Sequence, residues 1–489
     1  MSLRRASLGL MLGWMSLTVV VAAQNDTAPA ASGAPTAYAV VVARQTLANP
    51  EWKTVVDTLA AKHQGRVLVF SDSVRDTLPD LRAHFPRYVC FVAPPEAVTR
   101  EYVLGVHRLA RQLDDDPYTD FYWGILSGYD AANALRIARQ RAPLTIRKVA
   151  AGTEVAMDMV EGGVWYCELN KNKMVRKEAG KSAIEVRGPD DTTEALVQSL
   201  NEYQADLFVT SGHATERDWQ IGFRYRNGFF KHADGALYGQ DTRGKTFPIR
   251  SPNPKVYLPI GNCLMGHIDR RDCMATAWMN SAGVCQMLGY IQPTWYGYMG
   301  WGVLDYFVEQ PGRYTFTEAF FANHHALVHR LVAFFPALAG AETDANGRLA
   351  AIPEVGENAK VAGLTRNDVH GLVFDRDVVA FYGDPGWSAR LAERPSAFDQ
   401  SLRQEGDTYV FEITPRRGTD SFQPVNRNGS QRGGRPFLAY LPHRVGSVEV
   451  IEGGDLDPVV TDDFILVPNP GFCDPAKTYR VRFTAKRLP

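Results

Sequence analysis

Short apolar runs separated by turns organise the chain from residue 39 onward. Runs at 39–43, 67–70, 88–92 and 121–126 are brief and rich in β-branched and aromatic side chains, which predicts buried strands. Helical patterns cover 51–63 and 100–113, and a further helix is expected after Gly128. This alternation predicts an α/β domain with a parallel sheet flanked by helices. A second round begins near Leu144, with strands at 164–169, 206–210, 256–260 and 284–290. Helices are expected at 192–203, where Thr192 or Thr193 with Glu194 suits a start, and from about Asp272. Two longer ones follow at 302–310 and 315–335. After Pro395 the texture changes. Residues 409–413, 436–441, 447–451, 464–467 and 479–483 are short alternating runs between Gly/Pro-rich turns, the pattern of a small β-sandwich. The expected organisation is an N-terminal α/β subdomain (37–143), a second α/β subdomain (144–394), each with its own parallel sheet, and a C-terminal β-sandwich (395–489).

The first residues follow a different logic. Arg4 and Arg5 precede an apolar stretch from Leu8 to Val21, then Ala22-Ala23-Gln24. A charged region, a short apolar region and small residues at a cleavage point predict a signal peptide over 1–23. Residues 24–36 are small, polar and Pro-containing, and read as a linker. No later run is long and apolar enough to span a bilayer. The expectation is an exported bacterial protein, secreted or periplasmic.

Composition narrows the partners. The formal net charge of -1 over 489 residues gives no basic field for nucleic acid or an anionic membrane. Hydrophobic and charged fractions of 45% and 22% are those of an ordinary globular protein. Six cysteines are too few for a disulfide framework in a chain this long. Cys90, Cys167 and Cys285 sit in apolar runs and read as buried hydrophobes. Cys473 lies in a Pro-rich loop.

The chemistry concentrates in two strand ends. DLFVTSGHA (206–214) delivers His213, and KVYLPIGNCLMG (255–266) delivers Cys263. A parallel sheet collects reactive groups beyond the carboxyl ends of its strands, so the two runs predict a nucleophile with its base. A thiol of ordinary pKa ~8.5 is only partly ionised near neutrality, and a neighbouring imidazolium favours its thiolate. His213 would then return a proton to the leaving amine. The main-chain N–H groups of Cys263 and Ala214 are the candidate oxyanion donors. Glu154, in AGTEV, is a candidate for orienting His213, with Glu216 and Asp218 as alternatives. The plainer reading makes Cys263 a structural thiol, His213 a satisfied core histidine and the carboxylates solvated surface groups.

Metal binding is the competing chemistry. Cys263, His267 and Cys273 have ligand side chains, but C-x3-H-x5-C is not a tight zinc spacing. His325 and His329 share a helix face without the Glu of H-E-x-x-H, which favours simple packing. No metal site is therefore assigned and no cofactor is required.

The pair of strand ends resembles the caspase-like cysteine peptidases, and within them the gingipain family. DFYWGILSG (120–128), SAGVCQMLG (281–289) and FYGDP (381–385) extend the resemblance over roughly 37–392. It implies a caspase-like fold, an exported cysteine endopeptidase acting on polypeptides, and structural calcium as in that family. It also implies that GYIQPTWYG (289–297) borders the specificity pocket, making Gln292, Trp295 and Tyr296 candidate pocket walls. The chain departs from the pattern at Ala214, where Gly is usual, and at Asn262, where a small residue often precedes the nucleophile. A catalytically inactive relative serving as a secreted binding or scaffold protein is the alternative reading.

Overall fold

Tyr38–Ala43 is buried along almost its whole length and pairs in parallel with Arg66–Phe70 on one side and Tyr88–Val92 on the other. It belongs to the central sheet of a computed structural model that describes residues 37–344, 346–425 and 434–488. The expected signal peptide and linker lie outside the described residues. Among these, twelve strands join into one sheet. Its first half contains the three strands above, then Tyr122–Leu126 and Val379–Gly383, all mutually parallel. Its second half runs Val284–Tyr290, Lys255–Pro259, Leu207–Thr210, Lys148–Ala151 and Gly162–Tyr166, again mutually parallel. Two antiparallel strands, Lys173–Lys177 and Ile184–Arg187, close that edge.

The two rounds of β and α are thus fused rather than built on separate sheets, which corrects the expectation of one sheet per subdomain. The seam is Val379–Gly383. This strand pairs in parallel with Tyr122–Leu126 and antiparallel with Val284–Tyr290. Strands of the two halves therefore point in opposite directions. The carboxyl ends of the second half, where His213 and Cys263 lie, form an edge of their own.

Local chemistry sets the flanking helices. Pro50–His63 starts on Asn49, whose side chain accepts from the N–H groups of Glu51 and Trp52, and ends on Gln64 in the left-handed region. Phe316–Phe334 opens with a capping box between Thr315 and Glu318. Thr193–Asn201 is the helix expected at 192–203. Thr192 does not cap it; the Asp191 carboxylate accepts from Thr193 N–H instead, at 3.0 Å.

Beyond Pro395 lie a four-stranded antiparallel sheet (Phe398–Glu405, Thr408–Pro415, Tyr479–Arg487, Val445–Glu452) and a three-stranded one (Phe437–Tyr440, Phe464–Val467, Val459–Val460). Alternate residues of both, such as Phe411, Phe483, Phe437 and Ile465, form a shared core. Leu438, Phe464 and Leu466 face the other way, into the α/β core. Arg87 donates to the Leu441 carbonyl at 2.7 Å, and Tyr306 to that of Pro436 at 3.0 Å.

Candidate active site

The strands Leu207–Thr210 and Lys255–Pro259 are adjacent and parallel, with Thr210 opposite Pro259. The loops that follow therefore leave the same sheet edge. Lys148–Ala151 pairs with the other side of Leu207–Thr210, with Ala151 opposite Val209. Glu154 follows three residues after this strand, so three neighbouring strand ends carry Glu154, His213 and Cys263.

Each loop is shaped by contacts that its sequence specifies. Gly212 has φ of +102°, a conformation closed to most side chains. Gly261 is needed for a different reason, since a Cβ there would sit 2.6 Å from Ser211 Oγ. Asn262 is fully buried. Its amide donates to the Gly212 carbonyl at 3.1 Å, and its carbonyl oxygen accepts from the Thr210 hydroxyl at 2.6 Å. The side chain that departs from the small residue of the resembled pattern is a strut between the two loops. After Cys263 the chain passes through Leu264 at φ of +57° and turns so that Gly266 N–H reaches the Tyr290 carbonyl at 2.9 Å.

Cys263 is partly exposed and His213 exposed. The Cys263 sulfur accepts a hydrogen bond from the Thr294 N–H at 3.2 Å. The His213 ring packs on Phe223, with centroids 4.7 Å apart. No hydrogen bond joins the ring to the sulfur among the described residues. Ala214 is buried and forms a bridge with Trp219. The Trp219 indole N–H ties down the same loop by donating to the Ser211 carbonyl at 2.7 Å.

The other candidates have separate engagements. Glu216 bonds the His267 ring at 2.7 Å. Burial opposes its charge, but that bond and the main-chain N–H of Glu216 itself outweigh burial and hold its pKa below the usual carboxylate range. Asp218 accepts from the Thr215 hydroxyl at 3.1 Å. Cys273 is buried beside Thr276. Cys263, His267 and Cys273 do not form a metal-ligand group, and all six cysteines are free thiols. His325 is buried against Phe464, and burial pushes its pKa down to about 3.

Gln292, Trp295 and Tyr296 all line one cavity of about 330 Å³, together with His370, Phe374 and Arg348. Gln292 is buried and its carbonyl accepts from Leu264 N–H at 3.3 Å. Trp295 is 70% exposed. The Tyr296 hydroxyl lies 3.2 Å from His370 Nδ1. Sequence reading named Gln292, Trp295 and Tyr296 as candidates and did not name Arg348, His370 or Phe374. Arg348 and the helix Arg366–Asp377, which carries His370 and Phe374, arrive from far along the chain without any motif to announce them.

No family model and no curated protein matches the chain. Solved structures similar to it include an Arg-specific cysteine proteinase, gingipain R, at 9% identity and TM-score 0.41, covering 94% of this chain and 100% of that one. The complex of the pro- and mature domains of Porphyromonas gingivalis RgpB aligns at 11% identity and TM-score 0.39, over 92% of this chain and 100% of that chain.

In another part of the chain, Asp114, Asp116 and Asp462 bring carboxylate oxygens within 4.8 Å of one another. Burial and the Asp114 charge push Asp116 up to about 7 and the neighbouring Asp120 up to about 9.

Proposed function

We propose that this chain is an exported cysteine endopeptidase in which the Cys263 thiolate attacks a peptide carbonyl. The observation that carries the reading is the pairing of Leu207–Thr210 with Lys255–Pro259, which brings His213 and Cys263 to one sheet edge with neither residue buried. In this reading Cys263 Sγ adds to the carbonyl carbon, and the C–N bond breaks as His213 protonates the leaving amine. The acyl-enzyme is then hydrolysed by water that His213 deprotonates. The N–H groups of Cys263 and Ala214 receive the oxyanion, a contribution of roughly 3 kcal/mol per donor. Glu154 orients the imidazole from the adjacent strand end. The Thr294 N–H supports charge on sulfur. A structural calcium ion belongs to the same proposal. The all-oxygen set of Asp114, Asp116 and Asp462 suits that hard cation, which would neutralise their mutual repulsion.

The second reading, a scaffold without turnover, draws on the His213 ring resting on Phe223 without a bond to the sulfur. Such bonds often form only with substrate in place. Hydrolysis of a denatured protein substrate by wild type, and its loss in Cys263→Ala, separates the two. Equal hydrolysis by both proteins would remove Cys263 from the chemistry.

A further inference from the structure

We infer that the cavity beside Cys263 selects an acidic side chain, that of the substrate residue whose carbonyl the thiol attacks. The inference rests on the peptidase reading and adds its substrate class. Position comes first. The Thr294 N–H touches the Cys263 sulfur at 3.2 Å, and the residues on either side of Thr294, Pro293 and Trp295, both line the cavity. A side chain one bond from the attacked carbonyl is the one within reach of such a space.

Charge decides the class. The lining residues include Arg348 and His370 and no acidic residue. Acids close in sequence to lining residues have partners of their own, and the Asp375 charge, after burial, raises the pKa of the Tyr296 hydroxyl. Asp375 accepts from the Tyr290 hydroxyl at 2.8 Å and the Met299 N–H at 3.0 Å. Asp368 takes the Thr365 N–H and the Tyr298 hydroxyl. Asp344 accepts the main-chain N–H groups of Asn346 and Arg348. A guanidinium presents a planar fork that matches a carboxylate with two parallel hydrogen bonds. The Tyr296 hydroxyl lies 3.2 Å from His370 Nδ1; in this proposal it donates there, which leaves Nε2–H as a further donor. Trp295, Tyr296 and Phe374 supply apolar faces for the methylene stem. An Arg or Lys side chain in the same place would meet like charge with no counter-ion in the lining.

The test compares fluorogenic peptides that differ only in the residue before the scissile bond, Glu, Asp, Arg or Leu, on the full chain. Wild type should favour the acidic peptides over the Arg peptide by at least about 100-fold in kcat/KM. Arg348→Glu should lower the acidic rates at least about tenfold and raise the Arg rate, while Arg348→Lys keeps the preference. Adducts on Cys263 from glutamyl and arginyl acyloxymethyl ketones are measured in parallel. Cys263-dependent cleavage of Arg or Leu peptides at rates equal to the acidic ones overturns the pocket assignment and leaves the peptidase reading standing. No Cys263-dependent cleavage of any peptide, and no adduct from either ketone, overturns both.

Discussion

Asn262 holds Gly212 across the gap between two parallel strands, its side-chain amide donating to the Gly212 carbonyl at 3.1 Å. The residue before the candidate nucleophile thus fixes the residue before the candidate base. Asn262→Leu should leave the buried Gly212 carbonyl without its side-chain donor and the Thr210 hydroxyl with Tyr257 as its remaining partner, destabilising the fold by about 2 kcal/mol. Peptide turnover should fall by more than that loss of stability explains. Denaturant melts alongside kcat measure both, and full turnover in a destabilised protein would show that the strut serves the fold alone.

Glu154 occupies the third neighbouring strand end. If it orients His213, Glu154→Gln should lower kcat at least about tenfold with little change in KM. The pH–rate profile should move as well, because the charge beside the imidazole is gone. An unchanged profile with unchanged kcat would remove Glu154 from the site.

Asp120 predicts a loss of stability at high pH. Its folded pKa, raised to about 9 by burial and the Asp114 charge, lies above the unfolded value near 4. Between these limits the unfolded chain has released a proton that the folded chain keeps, so stability falls as pH rises from about 4 towards 9. Asp120→Asn should flatten that limb, raising Tm at pH 8 and leaving it nearly unchanged at pH 4. Millimolar calcium should have a similar effect in wild type if the neighbouring carboxylates bind it. A Tm that rises with pH across this range in wild type but not in the variant would contradict the assignment.

Asp384 predicts the opposite limb. Although burial disfavours its charge, hydrogen bonding and charge from His63, followed by Lys62, hold its pKa well below the usual range. Its stabilisation is present above the unfolded carboxyl pKa near 4 and is lost as pH falls below it. Tyr38 also donates to it, at 2.6 Å. Asp384→Ala should destabilise the fold by about 3–5 kcal/mol, because buried partners lose their counter-charge. Urea unfolding at pH 7 measures this, and a change under 1 kcal/mol would mean the cluster is solvated.

Strand ends were legible in the sequence because apolar runs bounded by Gly declare themselves locally. The positions of His213 and Cys263 followed from that alone. What escaped reading depends on contacts between distant segments. Only part of Val379–Gly383 was recognised, within FYGDP at 381–385, yet this strand joins the two rounds into one sheet. Arg348 and His370 reach the cavity from beyond a long helix, and no local pattern ties them to Gln292 or Trp295. Asn262 could be read for its size but not its direction, because its partners lie on another strand.

If Cys263 is the nucleophile, a substrate-like electrophile should capture it covalently. Wild type, Cys263→Ala and His213→Ala are treated with a peptidyl acyloxymethyl ketone, and the adduct is located by intact mass and peptide mapping. One adduct on Cys263 is expected in wild type, none in Cys263→Ala, and labelling slowed by several orders of magnitude in His213→Ala. An adduct on Cys473 or another thiol, or no adduct on folded wild-type protein, would contradict it.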